Sequence, residues 1–418
     1  LLGVQGVGSS NLLPPTIFRH KGTCMKTVRI GVIGCGTVGN GVVKALLAKR
    51  GFIRNRIGID LVLVRVCDTR FSRAVPKLLR RDLIATDYAQ VVSDPSIDII
   101  VELVGGTRIA RQVVEKALAN GKSVVTANKA LLANYGRRMF SLAKKNGAGL
   151  YFEASVGAGI PIVKSLRESF GANTITTMQA IINGTSNYIL SKMGEEGCSL
   201  EAALRQAQRL GFAESDPTLD ISGYDSTHKL AILVLLAFGR YVAVDQIFTE
   251  GIERIDLQDI HYAREMGYVV KLLAIAKMRR HRAEVRVHPT LLSERHLLAN
   301  VRGVLNAVYL KGDLFGESLL YGEGAGEGSA ASGVLSDVLD AAGHRAAAYT
   351  PSYNYEFGDA RFALERMETI RSRYYIRITA IDKPGVLAKI AGILGRCHIS
   401  IASVSQKEHC HQSAVPVV

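Results

Sequence analysis

Tryptophan is absent from this 418-residue chain, and aromatic residues make up only 6% of it. So thin an aromatic content argues against a surface that stacks nucleic-acid bases. No apolar run reaches the roughly 18–20 residues needed to span a bilayer; the longest, 230–238, suits a buried helix. The six cysteines (24, 35, 67, 198, 397 and 410) form no CxxC pair and keep no regular spacing. That speaks against structural zinc or a disulfide framework and for a reducing, cytoplasmic setting. His409-Cys410-His411 offers metal-ligating side chains, but sequence neighbours rarely converge on one ion. Residues 1–24 lack an initiating Met, signal-peptide order and helical periodicity, so they read as a non-native or disordered extension outside the fold.

What the chain does have is length, glycine and positive charge. At this size two or three domains are expected, each with its own core. A net charge of +15, from 52 Lys+Arg against 37 Asp+Glu, suits an anionic partner such as a phosphorylated cofactor. The basic residues are scattered, and the short run Arg279-Arg280-His281-Arg282 reads as surface charge, so no nucleic-acid partner is expected.

Three apolar runs, 27–34, 59–68 and 97–106, alternate with stretches of helical spacing, and a fourth follows at 122–129. Strands that are apolar throughout and alternate with helices indicate a parallel sheet covered on both faces. The fold class is therefore α/β, with a doubly wound nucleotide-binding domain over residues 25–152. From about 153 glycine-rich turns alternate with amphipathic helices, including 199–210 and 225–238, and with strand-like runs such as 283–292. A helix is expected at 329–342, an irregular linker at 343–371, and a small strand–helix–strand unit over 372–418.

Gly34-Cys35-Gly36-Thr37-Val38-Gly39 is a GxGxxG that follows a strand and opens a helix, the context a dinucleotide fingerprint requires. Gly34 permits the tight turn, Gly36 lets a pyrophosphate approach the backbone, and Gly39 lets helix and strand pack closely. Asp68 ends the second strand, where a carboxylate takes the adenosine ribose hydroxyls, and Arg70 stands within reach of a 2′-phosphate. Asp favours NAD and Arg favours NADP, so the choice stays open. The 29-residue gap from Gly39 to Asp68 is long, and GFIRNRIG accounts for the excess as a loop. Lys129 follows a strand and so sits at the carboxyl edge of the sheet, where open α/β folds bind ligands.

ESDPTLDISGYDSTHK (214–229) crowds Glu214, Asp216, Asp220, Asp225, His228 and Lys229 against an apolar helix. Asp225 and Lys229, four apart, share one helical face. A lysine partly desolvated there would have its pKa lowered toward the range useful for proton transfer. Spacing alone, however, favours a capped helix with an i,i+4 salt bridge.

Taken together, GVIGCGTVG, TANKALLA, EASVGAGIPIV, NGTSNYIL, GFAESDPTLDISGYDSTHKLAILV, NVRGVLNAVYLKGDLFG and YGEGAG resemble homoserine dehydrogenase, in family order over about 28–342. The resemblance implies reversible, NAD- or NADP-dependent interconversion of L-homoserine and L-aspartate 4-semialdehyde, on the route to threonine and methionine. It makes 153–342 an α+β catalytic and dimerisation domain of a homodimer or homotetramer, with no membrane partner. It assigns Lys229 as proton donor, Asp225 and Glu214 as substrate holders, and Lys129 a place beside the nicotinamide. Asp220 joins them as a candidate, while Asp216 and His228 keep a structural reading. Gly211 and Gly324 would line the cofactor. Glu153, Val156, Ala158 and Ile160 match a loop that binds a monovalent cation (Na+ or K+), largely through backbone oxygens. Asp382-Lys383-Pro384-Gly385-Val386 looks like the start of a ferredoxin-like ACT domain, which would bring threonine as a feedback ligand. The departure at 409–412 and the stop at Val418, ahead of that module's last helix and strand, weigh against such feedback.

Overall fold

The computed structural model describes residues 25–72, 79–349, 362–406 and 414–418. The expectations for 1–24 and for His409-Cys410-His411 lie outside these. Among the described residues, six strands form one parallel sheet: β1 (Lys26–Ile33), β2 (Ile59–Cys67), β3 (Ile84–Ala85), β4 (Ile99–Glu102), β5 (Ser123–Thr126) and β6 (Leu150–Tyr151). Their order is β3-β2-β1-β4-β5-β6. The order reverses between β1 and β4, which opens a crevice at the carboxyl ends of those two strands. Helices α1 (Thr37–Ile57), α2 (Tyr88–Ser93), α3 (Arg108–Ala119) and α4 (Lys129–Lys145) connect the strands. Val32, Ile99 and Val101 are wholly buried, as strands covered on both faces should be.

GFIRNRIG is not the expected loop. Helix α1 continues through it to Ile57 and stops at Gly58, which adopts a left-handed conformation. Ile53 is buried on the sheet side, and Arg54 and Arg56 lie in the last turn, where cations suit the helix dipole.

The second layer begins with α5 (Ile162–Lys164), α6 (Gly184–Glu196), α7 (Leu200–Arg209), α8 (Thr218–Ile221), α9 (Tyr224–Phe238) and α10 (Leu257–Glu265). These accompany a mixed sheet of β7 (Ile175–Ile181), β8 (Phe248–Thr249), β9 (Tyr268–Arg279), β10 (Arg282–Ser293), β11 (Leu305–Gly312), β12 (Gly316–Glu323) and β13 (Ala363–Leu364). Its order is β12-β11-β7-β9-β10-β13, with β8 also on β10. Two expectations change here. The stretch 343–371 is not wholly irregular, because β13 adds a parallel strand to β10. Helix α11 (Glu327–Ala346) runs past 342 and packs on the first sheet, its Val334, Val338, Ala341 and Ala342 sharing a core with Val32, Val42 and Val101. Tyr151 of β6 and His344 near its end are hydrogen-bonded at 2.8 Å. The chain thus crosses to the second layer and returns, which fixes the two layers on either side of one cleft.

The C-terminal unit holds β14 (Ile378–Ile381), α12 (Val386–Arg396) and β15 (Ala414–Val417). The segment directly after α12, where the unit's second strand was expected, forms only a bridge between Gln406 and Val417 among the described residues. β15 occupies the place beside β14, so the segment meets the sheet only at β15's other edge. Arg377 anchors the unit to α10 through Asp256 and Asp259 (2.7 Å to the latter).

Candidate active site

The turn after β1 explains its glycines. Gly34 has φ +97°, and a Cβ there would lie 2.5 Å from the Leu103 backbone that follows β4. A Cβ on Gly39 would come within 2.1 Å of the Gly34 carbonyl oxygen. Both approaches let α1 start directly against the strand end. Above Gly36, among the described residues, only the Arg70 guanidinium comes near, at 3.8 Å from an added Cβ. No side chain caps α1, and its first turn, with Thr37 and Val38, carries no acid. Its leading N–H groups therefore face open space, an arrangement that fits a pyrophosphate.

Asp68 and Arg70 do meet at this turn. The Asp68 carboxylate accepts the Cys35 N–H at 2.8 Å and the Arg70 guanidinium at 2.9 and 2.7 Å. Arg70, helped by backbone N–H donors, outweighs burial and holds the carboxyl down at about 2. Cys35 and Cys67 beside it are buried, and burial pushes the Cys67 thiol up to about 11. Neither thiol is a poised nucleophile.

Lys129 is the first residue of α4. Asn128 accepts the Leu131 N–H as cap and donates to the Val104 and Gly106 carbonyls. Thr126 ties that turn to buried Glu102, donating to its carboxylate at 2.6 Å while accepting the Asn128 N–H. A cation at a helix N-terminus is disfavoured by the dipole, so Lys129 needs a counter-ion. Asp225 supplies it from α9, with Oδ1 at 2.8 Å from Lys129 Nζ. Its other oxygen takes Lys229 Nζ at 2.7 Å and the Asn183 amide at 2.9 Å. Lys229 also donates to the Ile182 carbonyl at 2.7 Å. One carboxylate, with 6% of its side chain exposed, thus joins lysines from both layers, 39% and 11% exposed.

The electrostatics follow from this geometry. Burial works against charge on Asp225, yet the two ammonium groups override it and hold the carboxyl far below its ordinary value. Burial likewise opposes the Lys129 ammonium, but Asp225, with Asp220 and Glu214 farther off, raises its pKa. Asp220 receives the other Asn183 amide bond, at 2.7 Å, while Glu214 stays exposed at the rim. The i,i+4 pair favoured by spacing is real, but it is buried and shared. No side chain caps α9, which starts at left-handed Gly223. Asp216 caps Thr218 at 3.1 Å, and burial lowers the His228 pKa, in keeping with structural roles.

A glycine turn that fits a pyrophosphate and a buried Asp225 carboxylate shared by lysines from both layers suit a nucleotide-dependent oxidoreductase. Three family models agree with this. Residues 34–153 match the homoserine dehydrogenase NAD-binding domain, 161–339 match homoserine dehydrogenase, and 374–418 match the ACT domain. A homoserine dehydrogenase from Neisseria gonorrhoeae is 42% identical over 402 residues, 94% of this chain and 91% of that protein. The chain belongs to the homoserine dehydrogenase family.

The crystal structure of a homoserine dehydrogenase from Thiobacillus denitrificans superposes with a TM-score of 0.88 at 43% identity, covering 94% of this chain and 90% of that one. A hyperthermophilic archaeal homoserine dehydrogenase mutant in complex with NADPH gives 0.65 at 30% identity, covering 75% and 97%. The chain is accordingly an NAD(P)-dependent oxidoreductase that interconverts L-homoserine and L-aspartate 4-semialdehyde, a step of threonine and methionine synthesis.

The remaining expected residues fall as follows. Gly211 ends α7 with φ +76°. Gly324 sits in the turn between β12 and α11, pressed against Asn306. Val156, Ala158 and Ile160 are buried, and Ala158 holds φ +43°. The Glu153 carboxylate accepts the Val163 and Lys164 N–H groups at 3.0 and 2.7 Å, and burial raises it to about 7. Sequence reasoning missed Asn183, Asn128 and Glu102. Both asparagines cap helices within quoted motifs, Asn183 accepting the Ser186 N–H at 2.8 Å. The only signal was an Asn immediately before a helix.

Proposed function

We propose that catalysis takes place at the Lys129–Asp225–Lys229 cluster, with Lys229 as proton donor to the carbonyl oxygen of the semialdehyde. The observation that supports this is the Asp225 carboxylate buried between the two lysines, one from each side of the cleft. The nicotinamide, when bound, supplies the hydride. As charge grows on the substrate oxygen, the Lys229 ammonium both stabilises and protonates it. Ile182 and Asp225 aim that ammonium. Because both Asp225 oxygens are engaged, its part is to orient the lysines, and Asp220 with Glu214 supplies the negative field for the substrate ammonium. Lys129 remains close enough to contact the reacting oxygen. In the oxidative direction Lys229 takes the proton back.

Gly34, Gly36, Thr37, Val38 and Gly39 would hold the pyrophosphate, with Gly211 and Gly324 lining the cofactor farther along. Asp68 and Arg70 are bound to each other, and Arg70, which overlooks the space above Gly36, meets a 2′-phosphate once displaced from Asp68; on this reading NADP is favoured over NAD. Buried Val156, Ala158 and Ile160, with Glu153, suit a monovalent cation held mainly by backbone oxygens, Na+ or K+ being told apart by titration. The enzyme is expected in the cytoplasm as a homodimer or homotetramer. The four cysteines among the described residues are free, and no described helix is long and apolar enough to cross a membrane. Threonine feedback is expected to be weak, because among the described residues the segment after α12 meets the sheet only through Ser405 and Gln406, and no α12 side chain is buried.

The test follows absorbance at 340 nm with L-aspartate 4-semialdehyde and each of NADPH and NADH. Semialdehyde-dependent oxidation with NADPH preferred is expected. Folded, cofactor-binding protein that leaves the absorbance unchanged would refute the assignment of the chemistry to this cluster.

A further inference from the structure

Glu102 is the last residue of β4 and is 0% exposed, at a strand end that borders the crevice. A carboxylate in such a place is costly unless it is paired, and burial raises it to about 7. Among the described residues its partners are neutral. Oε1 accepts the Val104 N–H at 2.7 Å and Oε2 accepts the Thr126 hydroxyl at 2.6 Å. These two bonds belong to a ring. Thr126 Oγ1 accepts the Asn128 N–H at 3.0 Å, and the Asn128 amide returns to the Val104 carbonyl at 3.2 Å. The ring ties the loop after β4, whose backbone lies against Gly34, to the turn that starts α4. Lys129 is the next residue, and Asn128 caps its helix. The dipole opposes a lysine at a helix N-terminus, so the place of its ammonium depends on how firmly that turn is held. The position calls for two acceptors, one for the Val104 N–H and one for the Thr126 hydroxyl. An amide offers one acceptor and one donor group, so Thr126 would have to turn its own proton away.

We propose, on the active-site reading above, that Glu102 is a positioning residue for the reaction. Through Thr126 and Asn128 it fixes the start of α4 and so holds Lys129 Nζ on Asp225, within reach of the reacting oxygen. Covered on all sides, Glu102 touches neither substrate nor cofactor and acts through the lysine alone. Its two bonds reach across from one strand end to the next, and the Lys129–Asp225 pair, at 2.8 Å, carries the effect into the cleft.

The test is a double-mutant cycle. Glu102→Gln removes one acceptor, and Thr126→Val, nearly isosteric, breaks the next link in case the first variant does not fold. Each is made alone and in Lys129→Met protein, and assayed with NADPH and semialdehyde at about pH 8.5, where a carboxyl near 7 is ionised. With Lys129 present, kcat should fall about tenfold while KM for NADPH stays within about threefold of wild type. Binding of 2′-phospho-ADP-ribose, which reports the phosphate end alone, should stay within about twofold by calorimetry. In Lys129→Met protein the same substitutions should change kcat by less than about twofold, because the group they position is gone. A tenfold loss that persists without Lys129, wild-type kcat in both single variants, or weakened binding of 2′-phospho-ADP-ribose would overturn the proposal. Wild-type kcat in Lys129→Met itself would instead sink the cluster reading on which it rests.

Discussion

Lys229→Met is the most informative perturbation of the cluster. Methionine keeps the length of the side chain and removes the ammonium, so the Ile182 carbonyl and one Asp225 oxygen lose a donor at 2.7 Å each. Asp225 is not left without compensation. It retains Lys129 at 2.8 Å and Asn183 at 2.9 Å. The stability cost should then be that of a lost charge-assisted hydrogen bond, about 1.5–3 kcal/mol, rather than the roughly 3–5 kcal/mol of an uncompensated buried charge. The kinetic cost is different in kind. Loss of positioned proton transfer is worth about 10²–10⁴ in kcat, or roughly 3–5 kcal/mol on the barrier. Steady-state rates at saturating cofactor and semialdehyde, beside urea unfolding curves, separate the two costs. The expected result is folded protein with normal NADPH affinity and kcat down about 10³-fold. A kcat within tenfold of wild type, with the fold intact, would remove Lys229 from the chemistry.

Three other outcomes are expected. Gly39→Ala drives a methyl into the Gly34 carbonyl, 2.1 Å away, so dinucleotide affinity should fall about tenfold or more by fluorescence titration, with residual kcat little changed. Arg70→Ala should lower the NADPH-to-NADH ratio of kcat/KM by about tenfold, because the guanidinium facing the Gly36 space is the group suited to a 2′-phosphate; an unchanged ratio would reject that role. For Glu102, burial raises the folded pKa from 4.5 to about 7, so the native state binds a proton that the unfolded chain releases first. That contribution is complete below about pH 4.5 and is lost as pH rises to about 7, a difference of at most about 3 kcal/mol. Glu102→Gln should therefore gain stability relative to wild type between pH 5 and pH 8 in urea titrations, and a flat difference would contradict the assignment.

Local chemistry carried much of this into the sequence. Val32, Ile99 and Val101 lie in runs too uniformly apolar for anything but a covered parallel strand, and Gly34, Gly36 and Gly39 keep a spacing that only a turn against a strand end demands. The errors came where a distant partner decided the outcome. GFIRNRIG looked like a loop because its apolar positions are few, yet burial of Ile53 sufficed to extend α1. The second strand of the C-terminal unit does not directly follow α12, because β15 already holds the place beside β14. Helix α11 belongs in sequence to the catalytic region, yet its alanine and valine face packs on the first sheet, a contact no local pattern announces.

The active site divides in the same way. By itself the sequence determined the nucleotide-binding layer, the one helical face shared by Asp225 and Lys229, and the order of the motifs, because strand and helix periodicity and glycine geometry are local properties. Only the tertiary structure decided that Lys129, 96 positions before Asp225 in the numbering, shares its carboxylate, and that Asn183 clamps Asp220 and Asp225 together. Those facts depend on burial and on which groups face one another across the cleft. Both are set by packing between segments far apart in the chain, and no local pattern encodes them.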